Sequence, residues 1–264
     1  MNTITLYRLI QILFFTFGFS LVNSIVFGQV EKTINRNAHF WISTNNIYQL
    51  TNRWGILNDI HIRRTDFVQN PSFYFVRGGL QYSIKRNLRV AGGYAHLWLA
   101  SPTQRWESYL NENRIYQQIS FSQRYPRLNT LFRVRSEQRI FNTVISGTSQ
   151  SDHYLIHRFR MLLSAGIPLT ASGRTQFLIA DEIHLNFGDR VVFNTFEQNR
   201  LTIGFKHKIS SQWTVDTGYM MVYQQRPTGL DYNLNHTFRL FFYGNFDFRK
   251  DKSKELDYVR HAEE

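Results

Sequence analysis

After Gln29 the chain is patterned with a period of two. Residues 52–64 set Trp54, Ile56, Ile60 and Ile62 against Asp59, His61 and Arg63. Residues 73–82 set Tyr74, Val76, Leu80 and Tyr82 against Arg77 and Gln81. Residues 113–123 oppose Ile115, Ile119 and Phe121 to Arg114, Tyr116, Gln118 and Ser120. Residues 129–140 oppose Phe132, Val134 and Ile140 to Arg133, Arg135, Glu137 and Arg139. Residues 153–165 oppose Leu155, Phe159, Met161 and Leu163 to Arg158 and Arg160, and residues 199–209 and 237–248 repeat the scheme. Successive side chains of a strand point to opposite faces, so each segment reads as a strand with one apolar and one polar face.

The chemistry of the polar face separates two all-β solutions. A soluble sandwich turns that face to water and mixes Lys, Thr, Ser and Glu over strands of about five or six residues. Here arginine dominates, with scattered Glu, Tyr and Gln, and the segments run about 10 to 14 residues. A tilted strand needs about 9–11 residues to cross a bilayer, and apolar-out, polar-in alternation of that length marks a transmembrane barrel. The chain's 23 Phe, 14 Tyr and 5 Trp fit a fold whose two faces meet different solvents.

The connections follow the same plan. Short turns at 51–52, 85–87, 125–127, 170–173 and 210–211 alternate with longer links at 66–72, 100–111, 141–151, 186–194 and 224–233. That is the arrangement of tight periplasmic turns and longer outer loops in an up-and-down antiparallel barrel. Tyr48, Trp54, Tyr82, Tyr125, Trp213, Phe246 and Phe248 lie beside the short turns as one aromatic girdle, and Trp98, Tyr154 and Tyr223 are assigned to the other. Eleven strands are clear within an expected 10–12. Twelve are favoured, because an even number puts both termini on the periplasmic side. Either residues 31–39 add a short first strand, or the segment before Trp41 climbs through the lumen.

The ends read differently from the barrel. Residues 1–28 have a polar start with Arg8, an apolar run from Leu9 to Phe27 and a small residue, Gly28, before Gln29. This is the order of a secretory signal peptide, with an uncleaved anchor as the alternative. Residues 29–38 form an N-terminal segment or short first strand, and residues 39–248 the barrel. Residues 249–264 carry ten charged side chains in sixteen and read as a solvated periplasmic tail. Removing the signal takes only Arg8 from the 31 Lys and Arg, so the mature chain stays strongly basic against 19 Asp and Glu.

Composition excludes several chemistries. There is no cysteine, hence no disulfide scaffold, thiol nucleophile or Cys-ligated metal. The mean hydropathy of −0.36 excludes a bundle of membrane helices. His39, His61, His96, His184, His207 and His236 are scattered without a ligand spacing, so neither a metal nor any other cofactor is expected. The arginines fall on an alternating face rather than an exposed stripe, which argues against nucleic acid. The expected partners are outer-membrane lipids and small anionic solutes, around a monomer.

Several stretches resemble a family of Gram-negative outer-membrane barrels catalogued as domain of unknown function 2490. They are Trp41, Glu112-Asn113-Arg114-Ile115-Tyr116-Gln117-Gln118 and Arg133-x-Arg135-x-Glu137-x-Arg139. Further on come Arg158-Phe159-Arg160, Asp181-Glu182-Ile183 and Phe196-Glu197-Gln198-Asn199-Arg200-Leu201. The resemblance spans residues 41–248. It implies an outer-membrane barrel and supplies no established activity. Asp181 departs from the polar amide expected before the Glu.

The alternation places Arg77, Arg114, Arg133, Arg135, Arg139, Arg158, Arg160, Arg200 and Arg239 inside, with Asp59, Glu112, Glu137 and Glu182. A barrel of about twelve strands is little wider than the eight-stranded barrels that side chains fill, so the first reading is a bracing salt-bridge network. The second is a narrow anion-selective pore, since rings of arginine select anions. A third is lipid hydrolysis on the outer face. If the strands flanking residues 141–151 pair symmetrically about a sum of 293, Ser136 opposes His157, with Asn142 or Asp181 as candidate orienting group.

Overall fold

A computed structural model describes residues 31–100, 109–145 and 148–250. The expected signal peptide, most of the 100–111 link and the tail beyond residue 250 lie outside the described residues. Eleven strands close into one barrel in sequence order. They are β1 (Thr33–Gln49), β2 (Trp54–Thr65), β3 (Asn70–Lys85), β4 (Leu88–Leu99), β5 (Leu110–Tyr125) and β6 (Leu128–Ile145). β7 (Thr148–Pro168), β8 (Thr175–Phe187), β9 (Phe196–Lys208), β10 (Trp213–Gln225) and β11 (Asp231–Asp247) complete it. Each consecutive pair is antiparallel, as expected.

The favoured count of twelve resolves to eleven. Residues 33–39 form neither a separate strand nor a lumenal climb, because they continue without a break into the strand that carries Trp41. An odd number of up-and-down strands leaves the first and last pointing the same way. β1 and β11 therefore close the barrel in parallel, in register from Thr33↔Asp231 to Gln49↔Asp247. Asn37 Nδ2 donates to Asn235 Oδ1 across this seam at 2.8 Å. Closure leaves no unpaired edge within the barrel wall, the condition for spanning hydrocarbon. It also puts the start of β1 at the rim of the longer connections (the loop rim) and the end of β11 at the rim of the tight turns (the turn rim).

The barrel is inside-out relative to a soluble protein. Ile56, Ile60, Leu80, Ile115, Ile119, Phe132, Ile203 and Phe238 stand exposed on its outer face, while its two largest fully buried side chains are Arg133 and Arg135. A continuous apolar belt of this kind is not left facing water, and the fold is a transmembrane barrel. At the turn rim Tyr48 stacks on Phe246 with centroids 5.2 Å apart, Trp54 meets Tyr82 at 4.8 Å and Trp213 meets Phe246 at 5.5 Å. At the loop rim Tyr223 stacks on Tyr232 and Trp98 packs on His96. Tyr154, assigned to this girdle, lies instead on the lumenal parity opposite Phe141 and stacks on it.

Residues 141–151, expected as a loop, are mostly strand. β6 and β7 run past the barrel wall as a two-stranded ribbon to Ile145↔Thr148, and β7 meets β8 only from His157 onward. A bulge between Asn142 and Val144 changes the paired sum from 293 in the ribbon to 295 in the wall.

Candidate functional site

The lumen follows from strand periodicity. Every second residue of β6 points inward, which lines up Arg133, Arg135, Glu137 and Arg139; β7 adds Arg158 and Arg160, and β5 adds Glu112 and Arg114. β8 contributes Glu182 and His184. On β9 another bulge intervenes: His184 pairs with Gln198 and Leu185 with Phe196, leaving Glu197 as the extra residue. Glu197 and Gln198 are consequently both buried, although strict alternation would send one of them to lipid.

These side chains form an unbroken ladder of alternating charge. Arg114 Nε lies 2.5 Å and Arg139 Nε 2.6 Å from Glu112 Oε1, so one carboxylate receives two guanidinium forks. Arg139 Nη1 reaches Glu197 Oε1 at 2.8 Å, and Glu197 Oε2 receives Arg158 Nη1 at 3.1 Å. Arg158 Nε donates to Glu137 Oε2 at 2.8 Å, and Arg160 Nη1 reaches Glu137 Oε1 at 2.9 Å. Arg160 Nη2 lies 2.8 Å and Arg133 Nη2 2.5 Å from Glu182 Oε1. Five arginines and four glutamates thus run from β5 round to β9 without two like charges adjacent along the chain of contacts. Charge-assisted and bidentate bonds of this kind are the strong ones in a confined site.

The opposite wall is held by smaller groups. Arg77 pairs with Asp59, and Arg239 Nη2 lies 2.8 Å from Asp216 Oδ2. Arg77 and Arg135 both lie over the Tyr116 ring, with centroid distances of 5.2 and 5.3 Å. A Cβ on Gly79 would collide with the Tyr116 hydroxyl, so glycine there makes the room that the ring occupies.

Among the described residues, cavities open towards both rims. At the turn rim a vestibule of about 1470 Å³ is lined by Arg124, Arg127, Arg174, Lys206, Lys208 and Arg249 among polar turn residues, with Asp247. Toward the loop rim a pocket of about 230 Å³ is lined by Trp41, His61 and eight arginines. Two further gaps, one beside Leu131 and Leu178 and one beside Asp59 and Arg135, are of about 10 Å³ each, less than or about one water.

A family model described as a protein of unknown function, DUF2490, matches residues 38–254. The chain belongs to this family. No curated protein matches. Among solved structures, the barrel is similar to one titled "NanC porin structure in rhombohedral crystal form", at 12% identity and a TM-score of 0.45, covering 71% of this chain and 84% of that one.

In this DUF2490 barrel the stretches that resemble the family supply the ladder itself. Trp41, Glu112, Arg114, Arg133, Arg135, Glu137, Arg139, Arg158, Arg160, Glu182, Glu197 and Arg200 all line the interior. Arg77 and Arg239 sit on the facing wall. Asp181 lies outside, where it accepts a hydrogen bond from Asn199 Nδ2 at 2.5 Å. Sequence reasoning did not place Glu197, Asp216 or His184 inside. Asp216 and His184 alternate with Val215 and Thr217, and with Ile183 and Leu185, so the signal was present. Glu197 had none, because only the bulge turns it inward.

The expected direct opposition of Ser136 and His157 is corrected by register. In the wall Ser136 pairs with Phe159, and His157 pairs with Gln138. The symmetric fold-back about 293 holds in the ribbon, and the bulge at 142–144 displaces everything below by two residues. The Ser136 hydroxyl instead accepts from Gln138 Nε2 at 3.3 Å, and Gln138 exchanges hydrogen bonds with Gln117. Asp181 is engaged with Asn199 on β9.

Proposed function

We propose that this DUF2490 protein is an outer-membrane barrel whose lumen is closed by a bracing ion-pair network rather than left open as a diffusion channel. One observation carries the reading: the ladder from Arg114 to Arg133 links β5 to β9 inside the lumen, and Arg133 at its end and Arg135 beside Glu137 are only 0% and 2% exposed. Arginine forks that bind two carboxylates each cross-link neighbouring strands, and the same side chains take up the volume a permeating ion would need. The apolar outer belt fits lipid contact by a monomer. Ser136 pairs with Phe159 and His157 with Gln138, so register does not set this nucleophile and base directly opposite each other.

Planar-bilayer recording of the detergent-folded protein tests this. The expected trace has no sustained channel above the bare-membrane baseline. A steady ohmic conductance would overturn it in favour of the second reading, an anion-selective pore. That reading is favoured by the basic side chains at both mouths, around the vestibule and the outer pocket. In that event the reversal potential under a salt gradient shifts towards the anion's.

A further inference from the structure

The outer pocket contains more than the ladder uses. Its wall includes His61 and Trp41, each only 5% exposed. Neither nitrogen of the His61 ring has a hydrogen-bond partner in the protein, and neither does Trp41 Nε1. Buried donors and acceptors without partners are destabilising, and these line one cavity. A neutral imidazole presents one donor and one acceptor whichever tautomer it adopts. The indole adds a donor.

The surroundings fix the sign of what can enter. Eight arginines line the pocket against two glutamates. Arg63 lies 3.6 Å over the Trp41 ring, and Arg200 lies 5.2 Å from the same ring. Stacking on an aromatic face orients a guanidinium while leaving its N–H fork to act at the edge. His61 is held edge-on by Phe75 at 4.8 Å and by Phe241 at 6.0 Å. The pocket therefore has oriented donors and an excess of basic side chains and, on the closed-lumen reading, a floor. At about 230 Å³ it falls just short of the range of about 300–1,000 Å³ usual for drug-sized ligands.

We propose that this pocket is a binding site for a small oxyanion, carboxylate or phosphate, entering from the loop rim. Arg63 and Arg200 supply the charge, and His61 and Trp41 supply the neutral hydrogen bonds. The His61 acceptor nitrogen favours a ligand with a hydroxyl to donate. The inference rests on the closed-lumen reading, since a floor retains a solute that an open channel would pass.

The test is calorimetric titration of the detergent-folded protein with malate, with inorganic phosphate and with glycerol as the neutral control, at low ionic strength. Malate or phosphate should give saturable heats and glycerol none. Heats with malate alone identify an organic carboxylate, and heats with phosphate identify an inorganic or esterified one. Arg63→Gln should weaken the binding at least about tenfold, the factor carried by one lost charge-assisted bond. His61→Phe keeps an aromatic ring and should weaken it as well. Should His61→Phe lose its folded band on unboiled gels, Trp41→Phe, which removes only the Nε1 donor, takes its place. Equal heats with glycerol, no heats with either anion, or undiminished binding in folded Arg63→Gln would overturn the site. Conductance separates the two claims: a channel with intact saturable binding refutes the closed lumen alone, and a silent barrel without binding refutes the site alone.

Discussion

Replacing Glu137 by Gln tests the ladder at its centre. The carboxylate receives Arg158 Nε at 2.8 Å and Arg160 Nη1 at 2.9 Å, with a further contact from Arg158 Nη2, and Arg135 Nη1 stands 3.6 Å away. The amide preserves shape and one acceptor. It loses the charge that faces three guanidinium groups and turns an NH₂ donor towards one of them. Two unit charges about 4 Å apart interact by about 4 kcal/mol at an effective dielectric of 20. Removing one partner of a buried pair costs about 3–5 kcal/mol. For a domain of this size each kcal/mol moves the midpoint by about 2–4 °C, which gives a drop of roughly 6–20 °C. The assay is the fraction of fast-migrating folded protein on unboiled gels after heating in mild detergent. A midpoint within about 2 °C of the parent would refute the ladder as a brace. Adding Arg158→Gln to Glu137→Gln should recover part of the loss, because the cycle removes the stranded charge.

Four further outcomes follow. The protein should fractionate with outer membranes and leave them with detergent but not with carbonate or high salt; recovery in a soluble fraction would sink the membrane assignment. A protease-sensitive tag in the β10–β11 connection at 226–230 should be cut on intact cells and one at Arg86-Asn87 spared, with the start of β1 accessible on the same side as 226–230; reversed cutting would invert the two rims. Gly79→Val should destabilise the barrel by about 1–3 kcal/mol by overpacking Tyr116, read as a lower midpoint on the same gels. Ser136→Ala should leave the folded band unchanged, and neither it nor the parent should release fatty acid from phospholipid vesicles; hydrolysis by the parent that Ser136→Ala abolishes would restore the enzyme reading.

Much of this molecule is legible in its sequence because strand periodicity is local. Alternation alone places Arg133, Arg135, Glu137 and Arg139 on one face, and their number on a face opposite Phe132 and Val134 already implies a charged interior inside an apolar belt. Turn signals set the strand order, since each hairpin joins neighbours. What local pattern cannot carry is register and closure. The parallel β1–β11 seam pairs residues about 200 positions apart, and only the count of strands around the whole circuit makes it parallel. The bulges at 142–144 and at Glu197 shift partners by a residue or two; one moves His157 from directly opposite Ser136 to a diagonal position and the other delivers Glu197 to Arg139 and Arg158. The outer pocket is tertiary for the same reason. Trp41, His61 and Arg200 come from β1, β2 and β9, and no spacing along the chain foretells that their side chains meet across a closed lumen.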